Sequence, residues 1–151
     1  MTVLEADVVK AVRAPVPAAF IEEVLAHAGE VPEVAARLPS AGANVAVRLT
    51  SDRELERLNR TYAGEDHATD VLSFAGSGDH LGDIAISWPA VVRQSAQYGH
   101  DAKTELALLA VHGLLHLLGW DHATTSQRRE MTRLTVAALR RSDLRLAPRR
   151  L

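Results

Sequence analysis

An almost continuously apolar segment, residues 106–118, constrains the fold more than any other feature of the sequence. Asp101 is a suitable N-cap for a helix that runs through this segment to Leu118. A helix that is apolar nearly all round belongs in the middle of a domain, where other elements cover every side of it. His112 and His116 interrupt the apolar surface, and because they lie four residues apart, their imidazoles project from the same helical face.

The remaining segments provide a small sheet and the helices that cover this central helix. Strand patterns occur at residues 2–9, 45–50, 70–74 and 83–87, and a glycine-rich turn at 76–82 joins the last two. Helical patterns occur at residues 18–28, after a capping box at Ser51 and Glu54, from Pro89 to Gly99, and at 124–141. The 151 residues have the length of one domain and contain no repeat or linker. We predict a single α+β domain over residues 1–151, with a mixed sheet of about four strands covered by helices.

The composition is that of a globular protein, since 47% of the residues are hydrophobic and 24% are charged. No apolar run reaches the ~20 residues that a membrane-spanning helix needs, and the sequence does not begin with a basic region followed by an apolar block. We therefore expect a cytoplasmic protein with no membrane contact. There is no cysteine, so a transition metal would have to be held by imidazole and carboxylate ligands.

A third histidine, His122, follows the central helix closely in the sequence. Gly119 can take the left-handed conformation that ends a helix, and the resulting turn would bring His122 back toward His112 and His116. Buried imidazoles without partners cost on the order of a few kcal/mol each, and a shared metal ion satisfies them together. Three neutral nitrogen ligands leave the fourth position of tetrahedral zinc open for water, as in catalytic zinc sites. We predict that the three histidines bind one zinc ion; the alternative is that carbonyl groups satisfy them.

The spacing H-x3-H-x5-H is also that of a class of zinc proteases, but the residue after the first histidine differs. Those proteases carry a glutamate there, which acts as general base toward the metal-bound water. In this chain the position is Gly113. The sequence therefore retains the ligand pattern of the proteases without their proton acceptor, which indicates a substrate other than a peptide.

The histidine segment resembles the hallmark HGxLHLxGxDH of the YbeY family of bacterial metal-dependent endoribonucleases. Residues 112–122 read HGLLHLLGWDH and match every fixed position of the hallmark. Further similar positions, in the same order and at similar spacing, are Leu58, Asn59, Tyr62, Asp66, residues 69–74, residues 82–86, Glu105 and Leu106. The resemblance covers roughly residues 45–140. It implies a single zinc ion held by the three histidines, cleavage of single-stranded RNA, and a cytoplasmic role in ribosomal RNA maturation and ribosome quality control.

Two positions depart from the family's pattern. Ala63 stands where the family usually has an arginine, and if that arginine holds phosphate, substrate binding or the rate of cleavage would be weaker here. Thr135 stands where a glutamate is frequent, and we interpret it as a surface change.

Positive charge is concentrated in the last part of the sequence. Residues 128–151 carry a net charge of +6, whereas residues 1–127 carry −8. A basic segment can meet RNA phosphates, but a solvated helix face followed by a frayed tail is an equally good interpretation. Trp120, beside the histidines, is a candidate for stacking on an RNA base.

Other polar residues have weaker indications of a role. Asp121 is predicted either to orient a histidine ligand or to cap the last helix. Asp83 follows a glycine-rich turn and fits the start of a strand better than catalysis. Four residues resemble a substrate-side strand of the family but have a local pattern that favours a structural role: Thr69, Asp70, Ser73 and Phe74. Three further histidines are predicted to lie at the surface: His67, His80 and His100.

Three functions are compatible with these features. The first, which we favour, is a zinc hydrolase that cleaves a phosphodiester bond of RNA. The second is a ribosome-associated assembly factor in which zinc stabilises the fold and catalysis is vestigial, as Ala63 would suggest. The third is a metalloprotease with a displaced base, which Gly113 disfavours. Imidazole ligands also suit nickel, so the sequence leaves the native metal open, along with the oligomeric state, the RNA cleavage site and the general acid.

Overall fold

The computed structural model describes residues 3–63 and 69–151, and its elements are close to those predicted. In chain order they are β1 (Leu4–Lys10), α1 (Ala18–Ala28), α2 (Pro32–Arg37), β2 (Ala43–Thr50), α3 (Asp52–Leu58), a π-helical turn (Asn59–Ala63), β3 (Val71–Ser77), β4 (His80–Ser87), α4 (Trp88–Tyr98), α5 (Ala102–Leu117) and α6 (Thr125–Arg140). The sequence does not predict α2 or the π-helical turn, because segments of five or six residues are too short to show a periodic pattern.

The four strands form one mixed sheet in the order β1-β2-β4-β3, which confirms the predicted size and type of sheet. Strands β1, β2 and β4 are parallel, and β3 lies antiparallel to β4 at the edge. The turn between β3 and β4 is shorter than predicted, since Ser77 already pairs with His80. Gly78 makes this possible because its φ of +63° is the left-handed conformation that a tight hairpin turn requires.

Helix α5 is the predicted central helix. Asp101 caps it, accepting a hydrogen bond from the backbone N–H of Thr104 at 2.8 Å. The helix packs against β3 and β4 of the sheet and against α1, α4 and α6. Its apolar residues are accordingly buried on every side: Leu106, Ala107, Leu108, Leu109, Ala110, Val111, Leu114 and Leu115. Within the two described ranges, no helix is both long and apolar enough to cross a membrane.

At Gly113, α5 lies so close to the sheet that there is no room for a side chain. A Cβ atom at this position would stand 2.7 Å from Cγ2 and 3.0 Å from Cδ1 of Ile84 in β4. The glycine therefore lets the helix that carries His112 pack directly on the strand. The same contact explains why a protease-type glutamate does not fit at this position, because Ile84 fills the space that its side chain would enter.

We expect Gly113→Ala to lower the free energy of unfolding. Overpacking of a core costs about 1–3 kcal/mol, and the greater helix propensity of alanine offsets at most about 1 kcal/mol of it. Urea denaturation monitored by circular dichroism would measure the difference. In an Ile84→Ala background, where the clashing atoms are gone, the same substitution should be neutral or stabilising. An equal loss of stability in both backgrounds would show that the contact with Ile84 is not the cause.

The capping box predicted at the start of α3 is only half formed. The Ser51 hydroxyl accepts a hydrogen bond from the backbone N–H of Glu54 at 3.2 Å, as predicted. The reciprocal bond from the Glu54 side chain is absent from the observed cap. That carboxylate instead pairs with the guanidinium of Arg48 on β2, because an ion pair is a stronger partner than a neutral backbone amide.

Candidate active site

The three predicted zinc ligands line one pocket between the start of β3 and the second half of α5. The pocket has a volume of about 580 Å³. Its lining comprises Thr69, Asp70, Val71, Leu72, Ser73, Leu109, His112, His116, His122 and Arg150. The fold thus brings the histidines to a common space together with a carboxylate and a guanidinium.

The turn after α5 returns His122 to this pocket, as predicted. Gly119 has a φ of +98°, the left-handed conformation expected where the helix ends. The backbone N–H of Trp120 donates to the carbonyl of Leu115 at 3.0 Å and closes the turn. The rings of His116 and His122 then stand edge to face, with their centroids 5.1 Å apart and an interplanar angle of 88°.

The spacing of this pair is compatible with a shared metal ion. With zinc–nitrogen bonds of about 2.0–2.1 Å and tetrahedral angles, two bound imidazoles have ring centres about 5 Å apart. The His116–His122 separation of 5.1 Å agrees with that value. In the part of the chain that the structure describes, however, no group of three or more His, Cys, Asp or Glu side chains is arranged to hold an ion. Imidazole nitrogens are suitable ligands for zinc, but the binding of one ion by all three rings stays a prediction.

His122 is the member of the set that can adjust its position most readily. Its side chain is 63% exposed and lies in the loop before α6, where a change of rotamer meets few contacts. His112 and His116 are both carried by the packed helix α5. We therefore expect any rearrangement around an ion to occur mainly in His122.

Burial keeps His112 and His116 neutral. Burial, together with the charge of Arg150 and the neighbouring histidines, lowers the pKa of His112 from 6.5 to about 4. Burial also lowers the pKa of His116, and the adjacent histidine adds to the effect, while Asp121 opposes it. Neutral imidazole is the form that binds a metal ion, so near neutral pH neither ring has to lose a proton first.

Asp121 does not take the predicted capping role. The cap of α6 is Thr124, which forms a complete capping box with Gln127. The Asp121 carboxylate accepts a hydrogen bond from the backbone N–H of His122 at 2.7 Å, whereas its distance to Nδ1 of the His122 ring is 3.9 Å. The latter distance is too long for a hydrogen bond. Asp121 therefore stabilises the loop, and its role in orienting a ligand ring stays a prediction.

Residues at the start of β3 join the pocket to the rest of the fold. Thr69, Asp70 and Ser73 all line the pocket. Gln94 of α4 donates from Nε2 to Oδ2 of Asp70 at 3.2 Å and so holds that carboxylate beside the histidines. The Ser73 hydroxyl donates to the carbonyl of Gly113 at 3.2 Å, which ties β3 to α5. These residues combine the structural role that their local pattern predicts with a place in the pocket wall.

Several other candidates are not part of the pocket lining. The Phe74 ring packs edge to face on Tyr62, with centroids 5.7 Å apart. The Asp83 side chain is 59% exposed and lies 3.4 Å from Nε2 of His80. His80 itself begins β4 and does not lie in a loop. The predictions for Asp66 and His67 fall outside the described residues.

A buried network that the sequence does not predict reaches the pocket from the segment after α6. Arg150 donates from Nε and Nη2 to the two carboxylate oxygens of Glu105, at 2.9 and 2.6 Å. His100 Nδ1 accepts a hydrogen bond from the backbone N–H of Ala147 at 2.9 Å. His100 is therefore neutral with its proton on Nε2, which donates to Glu105 at 2.7 Å. The Glu105 side chain is fully buried, and that of Arg150 is only 12% exposed.

Three interpretations drawn from the sequence are wrong. The His100 side chain is only 7% exposed, because it is sequestered with Glu105, and so it is not a surface residue. Thr135 is fully buried, and its hydroxyl donates to a backbone carbonyl of its own helix at 2.7 Å. Trp120 is only 6% exposed, and the guanidinium of Arg37 lies 3.6 Å from its ring centroid. An RNA base therefore cannot stack on Trp120 as it is placed.

The fold and the histidine-lined pocket are compatible with a hydrolase, and comparison with known proteins identifies the family. The family model described as Endoribonuclease YbeY matches residues 10–143. The chain therefore belongs to the YbeY family, and the resemblance found in the sequence is confirmed.

Individual relatives agree with this assignment. The chain is 43% identical over 130 residues to Endoribonuclease YbeY of Roseiflexus castenholzii, an alignment that covers 79% of each protein. It is 44% identical over 126 residues to the Moorella thermoacetica protein of the same name, covering 73% of this chain and 81% of that one. Among solved structures, the solution structure of a Thermotoga maritima protein superimposes with a TM-score of 0.62, covering 91% of each chain at 21% identity. This last similarity concerns the fold alone.

Proposed function

We propose that this protein is a zinc-dependent endoribonuclease that cleaves single-stranded RNA and acts in ribosomal RNA maturation and ribosome quality control. The observation that carries the proposal is the single pocket lined by His112, His116, His122, Asp70 and Arg150. Membership of the YbeY family supports the reaction, because the relatives are named endoribonucleases. RNA and the ribosome would be the partners, and the cytoplasm the place of action.

The side chains that line the pocket would have different roles in phosphodiester cleavage. His112, His116 and His122 would hold the zinc ion, which supplies Lewis acidity toward phosphate oxygens when bound. Asp70, oriented by Gln94, contributes a carboxylate to the described part of the lining, and we assign to it the role of proton acceptor. Asp70 lies just before β3, so the proposed proton acceptor belongs to a different element from α5, which carries His112 and His116.

The packing of α5 favours RNA over a peptide as substrate. Zinc proteases with this ligand spacing use a glutamate in the position of Gly113. Here that position faces Ile84, with no room for a side chain. A proton acceptor must therefore come from another element, which disfavours the protease alternative.

RNA cleavage assays with and without metal test the proposal. We expect the purified protein to cut a single-stranded RNA oligonucleotide, to lose this activity in a chelator and to regain it when stoichiometric zinc is added. The same sequence in a duplex should be cut much more slowly. Elemental analysis of the purified protein would distinguish zinc from nickel. Chelator-resistant cleavage would contradict the proposal, and a zinc-loaded protein that binds RNA without cutting it would favour the assembly-factor alternative.

A further inference from the structure

We propose that Arg150 contacts a phosphate group of RNA bound at the pocket, and that Glu105 positions its guanidinium for this contact. The proposal rests on the endoribonuclease function proposed above, because it assigns a binding residue to that same site. The observation that carries it is a guanidinium that belongs to the pocket wall and is held there by a fully buried carboxylate.

The pairing with Glu105 engages only one edge of the guanidinium. An arginine side chain has five N–H donors in a planar fork. Glu105 takes one from Nε and one from Nη2. Among the described residues, the Arg150 side chain donates hydrogen bonds to Glu105 alone, and its Nη1 takes no part in that pair. The donors on the other edge remain available to a ligand in the pocket, and a planar edge with two N–H groups matches a phosphate.

The guanidinium is held rigidly before any ligand arrives. The carbon at its centre lies 4.4 Å from the ring centroid of Tyr98 at the end of α4. His100 is neutral and is anchored by the backbone N–H of Ala147. It donates a hydrogen bond to the Glu105 carboxylate, which in turn holds the guanidinium of Arg150 in place. A side chain already immobilised loses little conformational entropy when it binds, so its hydrogen bonds contribute more fully to affinity.

The positive charge of Arg150 lies in the wall of the same pocket as the histidines and is paired with the negative charge of Glu105. At longer range the charges of the pair largely cancel, so the contact with phosphate would be a directional hydrogen bond and not a general attraction for RNA. Arg150 would therefore determine where the phosphate sits relative to the three histidines, with little effect on the salt dependence of binding.

Binding and cleavage assays on three variants test this inference. The binding probe is a fluorescently labelled, single-stranded 2′-O-methyl RNA oligonucleotide whose integrity is checked on a gel, and its Kd is measured by fluorescence anisotropy. We expect Arg150→Gln to raise the Kd about 10- to 150-fold, the value of a hydrogen bond to a charged group. Arg149→Gln is the matched control, because it removes the same charge from the exposed neighbouring residue and should change the Kd less than about twofold.

The Arg150→Lys variant distinguishes loss of the phosphate contact from loss of protein stability. A lysine keeps a positive charge beside Glu105 and hence much of the fold's stability, but it has no second planar edge to offer to phosphate. We expect near-normal thermal unfolding and zinc content with a Kd as weak as that of Arg150→Gln. If Arg150→Lys and Arg149→Gln bind the oligonucleotide equally well, or if the wild-type protein does not bind it at all, the inference is overturned. Weakened binding in a protein that cleaves no RNA would sustain the contact and contradict the proposed endoribonuclease function.

Discussion

A His112→Ala protein is expected to lose zinc binding and RNA cleavage together while keeping its fold. In the absence of metal, His112 is a neutral, half-buried imidazole of α5 that lines the pocket, and alanine favours the helical conformation at this position. With metal present, the variant retains only two of the three proposed nitrogen ligands. Changes around the ligands of a metal site commonly cost 10- to 100-fold in affinity or activity, so loss of a ligand itself should lower cleavage by more than about 100-fold.

Thermal unfolding with and without zinc would separate this effect from misfolding. Zinc at about 100 times its Kd adds about 2.7 kcal/mol to the stability of the wild-type protein, a rise in Tm of roughly 5–10 °C for a domain of this size. The variant should show no rise. The control is His27→Ala, since the His27 ring bonds the hydroxyl of Ser142 at 2.8 Å and is not part of the pocket. A zinc-induced rise in the His112→Ala protein equal to that of the wild type would refute the assigned ligand.

The parts of the fold that the sequence predicts are those specified by local patterns. The cap at Asp101, the apolar helix after it and the left-handed Gly119 are each encoded within a few residues, and all three are present. The alternating strands were similarly recognisable. The short helix α2 was not predicted, and the turn around Gly78 was predicted longer than it is, because too few residues specify these features. Local signals thus establish the central helix and the return of the chain toward its histidines.

The buried network beside the pocket depends on contacts that no local pattern encodes. Glu105 and Arg150 lie 45 positions apart, and in the sequence Arg150 is one of many arginines near its end. One feature of the sequence nevertheless indicates part of this network. Glu105 is a carboxylate at the start of an otherwise apolar helix, and a buried charge requires a partner. The sequence could therefore have predicted that Glu105 has a cationic partner, though not which of the arginines it is.

Replacing that carboxylate should have the largest effect on stability. We expect Glu105→Gln to lower the free energy of unfolding by about 3–5 kcal/mol, because it leaves the buried charge of Arg150 without a counterion. The amide also has fewer acceptor sites for the donors of Arg150 and His100. Urea denaturation at neutral pH would measure the loss. The matched control is Glu33→Gln, which breaks an exposed ion pair with Arg133 and should change stability much less, because surface ion pairs contribute little.

The pH dependence of the stability lost in Glu105→Gln shows whether the lost charge or lost packing causes it. Burial alone would raise the pKa of Glu105, but the hydrogen bonds from Arg150 and His100, together with the charge of Arg150, outweigh burial and lower it from 4.5. A carboxyl group whose pKa is lowered in the folded state contributes stability above pH 4.5, and the contribution is lost as the pH falls through the folded-state pKa. The gap in stability between the wild-type protein and Glu105→Gln should therefore stay constant from neutral pH down toward 4.5 and narrow below it. A gap that does not change across this range would mean that lost packing, and not the lost charge, destabilises the variant.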